Sequence, residues 1–178
     1  EYARDQGSLE QEVQRWADKI QEIAEEELRE YFPKYNGVET NYYFRTYSTE
    51  CPSCGKRYPL SNRWWFNRSK GIAVQPKYEN GDIRYICGEV SEDSDFDASD
   101  GTVSNGDAEC PHCGVVTERS DLIEKFQQGE FEYELCAVKY VDKVNGTKYH
   151  SPSDEDYEAI RKAKEKLESD LNLSTLLR

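Results

Sequence analysis

Methionine is absent from this sequence, and histidine occurs only twice, at His112 and His150. With no initiator, a chain opening at Glu1 reads as a segment of a longer protein. No stretch approaches the roughly 18 consecutive apolar residues of a membrane span, and no charged-then-apolar leader is present. The expected setting is therefore the cytoplasm, with no membrane partner. Neither histidine stands in a His-x-Glu pattern, which excludes a zinc deaminase site, and no Cys-x-x-Cys pair is followed by His, which excludes c-type haem. Basic residues are outnumbered, 23 against 36 acidic, for a formal charge of -13. Such a surface repels phosphate backbones and anionic lipid, so the molecule as a whole is no polyanion binder. The same acidic excess suits a halophilic protein, because concentrated salt screens its self-repulsion.

What is present is enough chain for one compact domain with helical flanks; 178 residues do not need a metal merely to fold. From Ser8 to Phe32, apolar residues recur at Leu9, Val13, Trp16, Ala17, Ile20, Ile23, Ala24, Leu28 and Tyr31, the period of a one-sided helix. Ser8 with Gln11 forms a capping box and Pro33 terminates the run. A second helix is predicted from a Ser153 cap to about Leu171. Asp154, Glu155 and Asp156 sit at its positive end, and Tyr157, Ile160, Ala163 or Lys164, and Leu167 form one stripe. The residues between the helices are aromatic and β-branched. Asn80-Gly81 and Asn145-Gly146 predict type I′ hairpins joining Ile72–Tyr78 to Ile83–Val90 and Tyr133–Val144 to Thr147–His150. Tyr42–Tyr47 and Arg63–Phe66 are further strand candidates, and residues 91–107, rich in Ser, Asp and Gly, read as a solvated acidic loop. The expected fold class is α+β, an antiparallel zinc-ribbon-like β sheet with hairpins over 37–150, flanked by amphipathic helices in 1–36 and 151–178.

Cys51-Pro52-Ser53-Cys54-Gly55 and Cys110-Pro111-His112-Cys113-Gly114 are one device used twice. Two thiolates spaced two residues apart on a tight turn both reach one Zn²⁺ at about 2.3 Å, and a second such turn completes a tetrahedron. The following glycine takes positive φ as the chain turns back, and neighbouring amides donate to the sulfurs. The 55 residues from Gly55 to Glu109 suit a ribbon carrying an insertion. With every ligand a protein thiolate, no position stays open for water or substrate, so the predicted zinc is structural. The rival is a redox dithiol; there a helix begins inside the motif, whereas Gly114-Val115-Val116-Thr117 is strand sequence. Cys87 and Cys136 lie within strands and read as small buried hydrophobes. His112, third in its turn, reads as a surface residue, and His150 as an ordinary one.

All 36 acidic residues lie outside residues 51–78, while that segment holds Lys56, Arg57, Arg63, Arg68, Lys70 and Lys77. Tyr58, Trp64, Trp65, Phe66 and Tyr78 accompany them. Cations interleaved with aromatics grip a phosphate backbone, which makes these six the candidate nucleic-acid contacts. The bland alternative is that Trp64 and Phe66 face the core by strand alternation and the cations pair with the acidic remainder. The acidic loop could also fold over the patch.

The order of features resembles the adenine-specific DNA methylases that carry a zinc ribbon inserted in the catalytic chain. The matching pieces are Arg15-Trp16-Ala17 running to Tyr31-Phe32-Pro33, the first cysteine pair with Tyr58-Pro59-Leu60, and Arg63-Trp64-Trp65. Gly101-Thr102-Val103 before the second pair and the helix opening Ser151-Pro152-Ser153-Asp154-Glu155-Asp156 complete a likeness covering most of residues 12–170. The resemblance implies a parent that transfers a methyl group from S-adenosylmethionine to adenine N6. No Phe-x-Gly-x-Gly cofactor loop and no Asn- or Asp-Pro-Pro-Tyr/Phe sequence is present. No residue is therefore carried over as catalytic, and the chain alone is expected not to methylate. The partners so implied are DNA, bound weakly by the segment alone, and the parent's catalytic domain; docking without nucleic-acid contact is the alternative.

Overall fold

The computed structural model describes residues 8–79, 82–91, 94–142, 144 and 146–176, with 172–176 through their backbone alone. The chain is α+β: antiparallel sheets lie between an N-terminal and a C-terminal helix in the sequence. Lys34–Tyr157 forms one compact unit; the chain up to Pro33 and from Glu158 onward forms the other.

Helix α1 (Leu9–Leu28) begins with the predicted capping box. The Gln11 amide donates to the Ser8 hydroxyl and the Ser8 amide to the Gln11 side chain, satisfying two donors that the first turn leaves open. A 3-10 turn, Arg29–Tyr31, follows, and Phe32 leaves the helical conformation ahead of Pro33. No residue of α1 is buried. The stripe Leu9, Val13, Trp16, Ile20 and Ile23 is exposed along its length. The C-terminal helix, which we label α3 (Asp154–Leu176), is capped by Ser153, whose amide and hydroxyl both donate to the buried Asp156 carboxylate, at 2.9 and 2.6 Å.

Strand β1 (Lys34–Tyr35) is a short edge strand paired with β2 (Val38–Glu50), which continues past the predicted Tyr42–Tyr47 at both ends. β3 (Arg57–Leu60), which was not anticipated, pairs with the far end of β2. Its Pro59 is tolerated because β3 pairs on one side only and needs no donor there. β4 (Trp65–Asn67), β5 (Ile72–Glu79) and β6 (Asp82–Glu89) make a separate three-stranded sheet; the turn at Asn80-Gly81 lies outside the described residues. β7 (Val103–Ser104), β8 (Asp107–Glu109) and β9 (Val116–Thr117) make a third sheet. β10 (Glu132–Asp142) and β11 (Gly146–His150) complete the first, in the order β1-β2-β10-β11; Asn145 of their turn lies outside the described residues.

Helix α2 (Arg119–Gln127) and the acidic stretch also depart from expectation. The helix has no side-chain cap at Glu118; instead the Arg119 amide donates to Asp107 Oδ1 at 2.9 Å, twelve residues back. Phe126 and Phe131 meet Tyr47 edge-on at 5.7 and 6.0 Å, linking α2 to the first sheet. The acidic stretch 91–107 is not simply a solvated loop. Ala98 is buried, its carbonyl accepts from the Trp64 amide at 2.8 Å, and Thr102 donates to the Pro59 carbonyl at 2.6 Å.

Two cores result. The larger gathers Trp64, Ala73, Val74, Tyr85, Ala98 and Cys136. The smaller has four buried members, Cys51, Tyr58, Ala108 and Cys110. Leu60, Tyr78, Val103, Val115 and Leu122 pack against it, and two of its four buried members are cysteines of the candidate metal site.

Candidate metal centre

Each cysteine pair sits at the tip of a hairpin, the first between β2 and β3 and the second between β8 and β9. The two turns have the same hydrogen bonds. Cys51 N donates to Lys56 O at 3.0 Å and Gly55 N to Cys51 O at 2.9 Å; Cys110 N donates to Val115 O at 3.0 Å and Gly114 N to Cys110 O at 2.8 Å. Gly55 and Gly114 have φ of 70° and 72°, a left-handed conformation in which any larger residue is strained.

These turns bring all four predicted ligands together, with Sγ atoms within 4.8 Å of one another. Cys51 Sγ lies 3.6 Å from Cys113 Sγ, and Cys54 Sγ 3.8 Å from Cys110 Sγ. A tetrahedron with metal–sulfur bonds of about 2.3 Å has edges of about 3.8 Å. The donor set therefore fits one tetrahedral divalent ion. Cys51 and Cys110 are buried, Cys54 and Cys113 exposed, so the site is closed beneath and accessible above.

Burial works against the Cys51 thiolate, but the Cys54 and Ser53 amides donate to it and its pKa falls to about 7. At Cys110 burial wins over the His112 and Cys113 amides and pushes the thiol up to about 12. Near neutral pH a coordinating cation would have to displace the Cys110 proton, which is released to water. A redox dithiol is poorly matched by this arrangement: two strands of a hairpin flank each pair, and α2 begins only at Arg119.

The remaining cysteines are core. Cys136 Sγ donates to the Phe44 carbonyl at 3.2 Å, and burial pushes Cys87 up to about 11 and Cys136 to about 12, leaving both as unreactive thiols. His112 is half-buried rather than a plain surface residue. Its Nε2 lies 3.3 Å from the Arg57 carbonyl oxygen and its ring is edge-on to Tyr78 at 4.5 Å, tying the second turn to β3. His150 stacks on Tyr35 at 3.9 Å.

Neither a family model, nor a curated protein, nor a solved structure matches this chain.

Of the six candidate nucleic-acid contacts, Arg63 and Arg68 share one groove. Arg57 is held by Glu50 and Glu132, each at 3.1 Å, and only 23% of its side chain is exposed. Lys56 is exposed on the first cysteine turn, and half-buried Lys77 stands opposite Arg84 on β5. Arg63 and Arg68 line one groove of about 730 Å3 together with Asn62, Trp65, Phe66 and Ser99. Lys70 is exposed on the same 3-10 turn as Arg68. Among the described residues, none of Lys56, Arg63, Arg68, Lys70 and Lys77 forms an ion pair.

The three neighbouring aromatics are placed differently. Trp64 is buried in the larger core, and Phe66 stacks on Tyr149 at 5.4 Å, with planes 8° apart. Trp65 is the half-buried ring on the groove, its Nε1 donating to Ser99 Oγ at 3.0 Å. The acidic segment thus reaches the basic patch through Ser99. Asn62 and Ser99 were not foreseen as groove residues; nothing local marks them, because 37 positions separate them in the chain.

Proposed function

We propose that this chain is a zinc-ribbon module whose single structural Zn²⁺ is held by Cys51, Cys54, Cys110 and Cys113, and which presents the Arg63–Trp65–Arg68 groove to a DNA backbone. The observation that carries the reading is the pair of matched hairpin tips with four sulfurs at tetrahedral spacing. The zinc would hold the Arg57 end of β3, and Ser61–Trp65 leaves from the other end of that four-residue strand, at Leu60. The feature order shared with ribbon-bearing adenine methylases supports a parent that uses S-adenosylmethionine to methylate adenine N6, with this module supplying DNA contact and no catalytic group.

Arg63 and Arg68 offer two unpaired cations to phosphates, and Trp65 offers a ring beside them. Against a formal charge of -13, binding by the module alone is weak and strongly salt-dependent. In a titration of metal-loaded protein with duplex DNA at several salt concentrations, Arg63→Glu with Arg68→Glu is expected to weaken binding by about tenfold or more. The slope of log K against log salt should shrink by about 2, one per lost phosphate contact. Unchanged affinity and slope in the double reversal would remove the groove from the reading.

A second reading, docking on the parent's catalytic domain without nucleic-acid contact, has the exposed apolar stripe of α1 in its favour. It predicts no DNA affinity in the unaltered chain at any salt concentration, and protection of the Trp16 face when the catalytic domain is added.

A further inference from the structure

Segment 96–102 that supplies Ser99 to the cationic groove also contributes to a second cavity, of about 310 Å3, whose chemistry is the reverse. The aromatic residues Trp64, Tyr78 and Phe96 line it, with the acidic residues Asp100 and Glu109. Pro76 and Pro111 add apolar wall, the latter from the second cysteine turn. No lysine or arginine lines it. Asp100 and Glu109 are both exposed, and among the described residues neither carboxylate is in an ion pair or hydrogen bond. Two carboxylates left unpaired in the wall of an aromatic cavity lack a cationic partner that nothing in the described chain supplies.

We propose that this cavity takes a cationic side chain of a basic peptide segment, arginine foremost. Aromatic rings attract a cation lying within about 6 Å of the ring centroid through their quadrupole. Carboxylates accept charge-assisted hydrogen bonds from a guanidinium or an ammonium, and the guanidinium alone adds a planar face that stacks on a ring. The aromatic and proline walls suit the methylene stem of such a side chain. A phosphate backbone is excluded, because its charge would face Asp100 and Glu109. The two sites therefore sort ligands by sign: Arg63 and Arg68 on the one hand, Asp100 and Glu109 on the other.

The test is a chemical-shift titration of the metal-loaded full chain with a capped Gly-Gly-Arg-Gly-Gly peptide, beside its citrulline and lysine counterparts. Saturable shifts are expected at Trp64, Tyr78, Phe96 and Glu109, with lysine retaining binding more weakly than arginine. Citrulline has the same shape without the charge, and should bind at least about tenfold more weakly. Asp100→Asn with Glu109→Gln should lose binding to the same extent, whereas Arg63→Glu with Arg68→Glu should keep it. Equal binding of arginine and citrulline peptides, no saturable shift, or shifts confined to other surfaces would each overturn the proposal. The peptide comparison leaves the protein unchanged, so it stands even if the acidic-pair variant is poorly folded.

Discussion

Replacing Cys113 by serine is expected to abolish stoichiometric metal binding and to unfold both hairpin tips. Cys113 is exposed, so the substitution takes nothing from either core, and any loss of structure comes from the missing ligand. Groups that merely support a ligand are worth about 10–100-fold in metal affinity, and a lost thiolate should exceed that. Structural zinc contributes on the order of 10 kcal/mol to isolated zinc-finger peptides, which have almost no other core. Here the larger core around Trp64 and Tyr85 lies among strands β4–β6 and β10, and survives in part. The expected outcome is therefore local: amide protection lost across 51–60 and 108–117, and retained in β5, β6 and β10. Protein with Ser at 113 that binds one metal as tightly as the unaltered chain would contradict the ligand assignment. Hydrogen exchange with parallel elemental analysis reads both.

Gly101→Ala is expected to be the most damaging single substitution outside the metal centre. A Cβ there would stand 2.1 Å from the Ser61 carbonyl oxygen and 2.4 Å from the Asn62 carbonyl carbon, both backbone atoms that cannot swing aside. Relieving the clash pushes segment 98–102 away from 61–64. Several bonds go with it: Trp64 N to Ala98 O, Val103 N to Ser61 O, and the Thr102 hydroxyl's contacts with Ser61 and Pro59. Overpacking of this kind costs about 3 kcal/mol, which for a chain of this size lowers Tm by roughly 6–12 °C. Gly88 is the control, since a Cβ there meets nothing and its φ is not positive; Gly88→Ala should change Tm little. Equal melting of the two variants would mean that segments 61–64 and 98–102 are not in contact. The same displacement should also weaken DNA binding, because Ser99 would no longer buttress Trp65.

What the sequence discloses and what it hides follows from how local each feature is. The cysteine turns are legible because both ligands, the turning glycine and the returning strand fall within a few residues. The capping box at Ser8 and the cap at Ser153 are legible for the same reason. Helix α2 is not, because its cap comes from Asp107 on β8 rather than from the residue preceding it. Composition misleads most at 96–102. Its Ser, Asp and Gly read as a solvated acidic loop, yet Ala98 is buried and a Cβ on Gly101 would meet the backbone of Ser61 and Asn62. Arg57 illustrates the limit of counting charges. It belongs to the basic run in sequence, but Glu132 reaches it from β10, seventy-five positions away, and takes it out of the cationic surface. Which of two adjacent tryptophans faces the groove depends on strand phase, which the sequence leaves open; the structure puts Trp64 inside.

The most direct measurement is metal content against folded structure during titration with a chelator. The account predicts one zinc per chain in the native protein. As the metal leaves, amide signals of Cys51–Lys56 and Cys110–Val115 should collapse, and return when zinc is restored. Native protein without stoichiometric metal, or chelated protein whose hairpin tips keep their order, would contradict it.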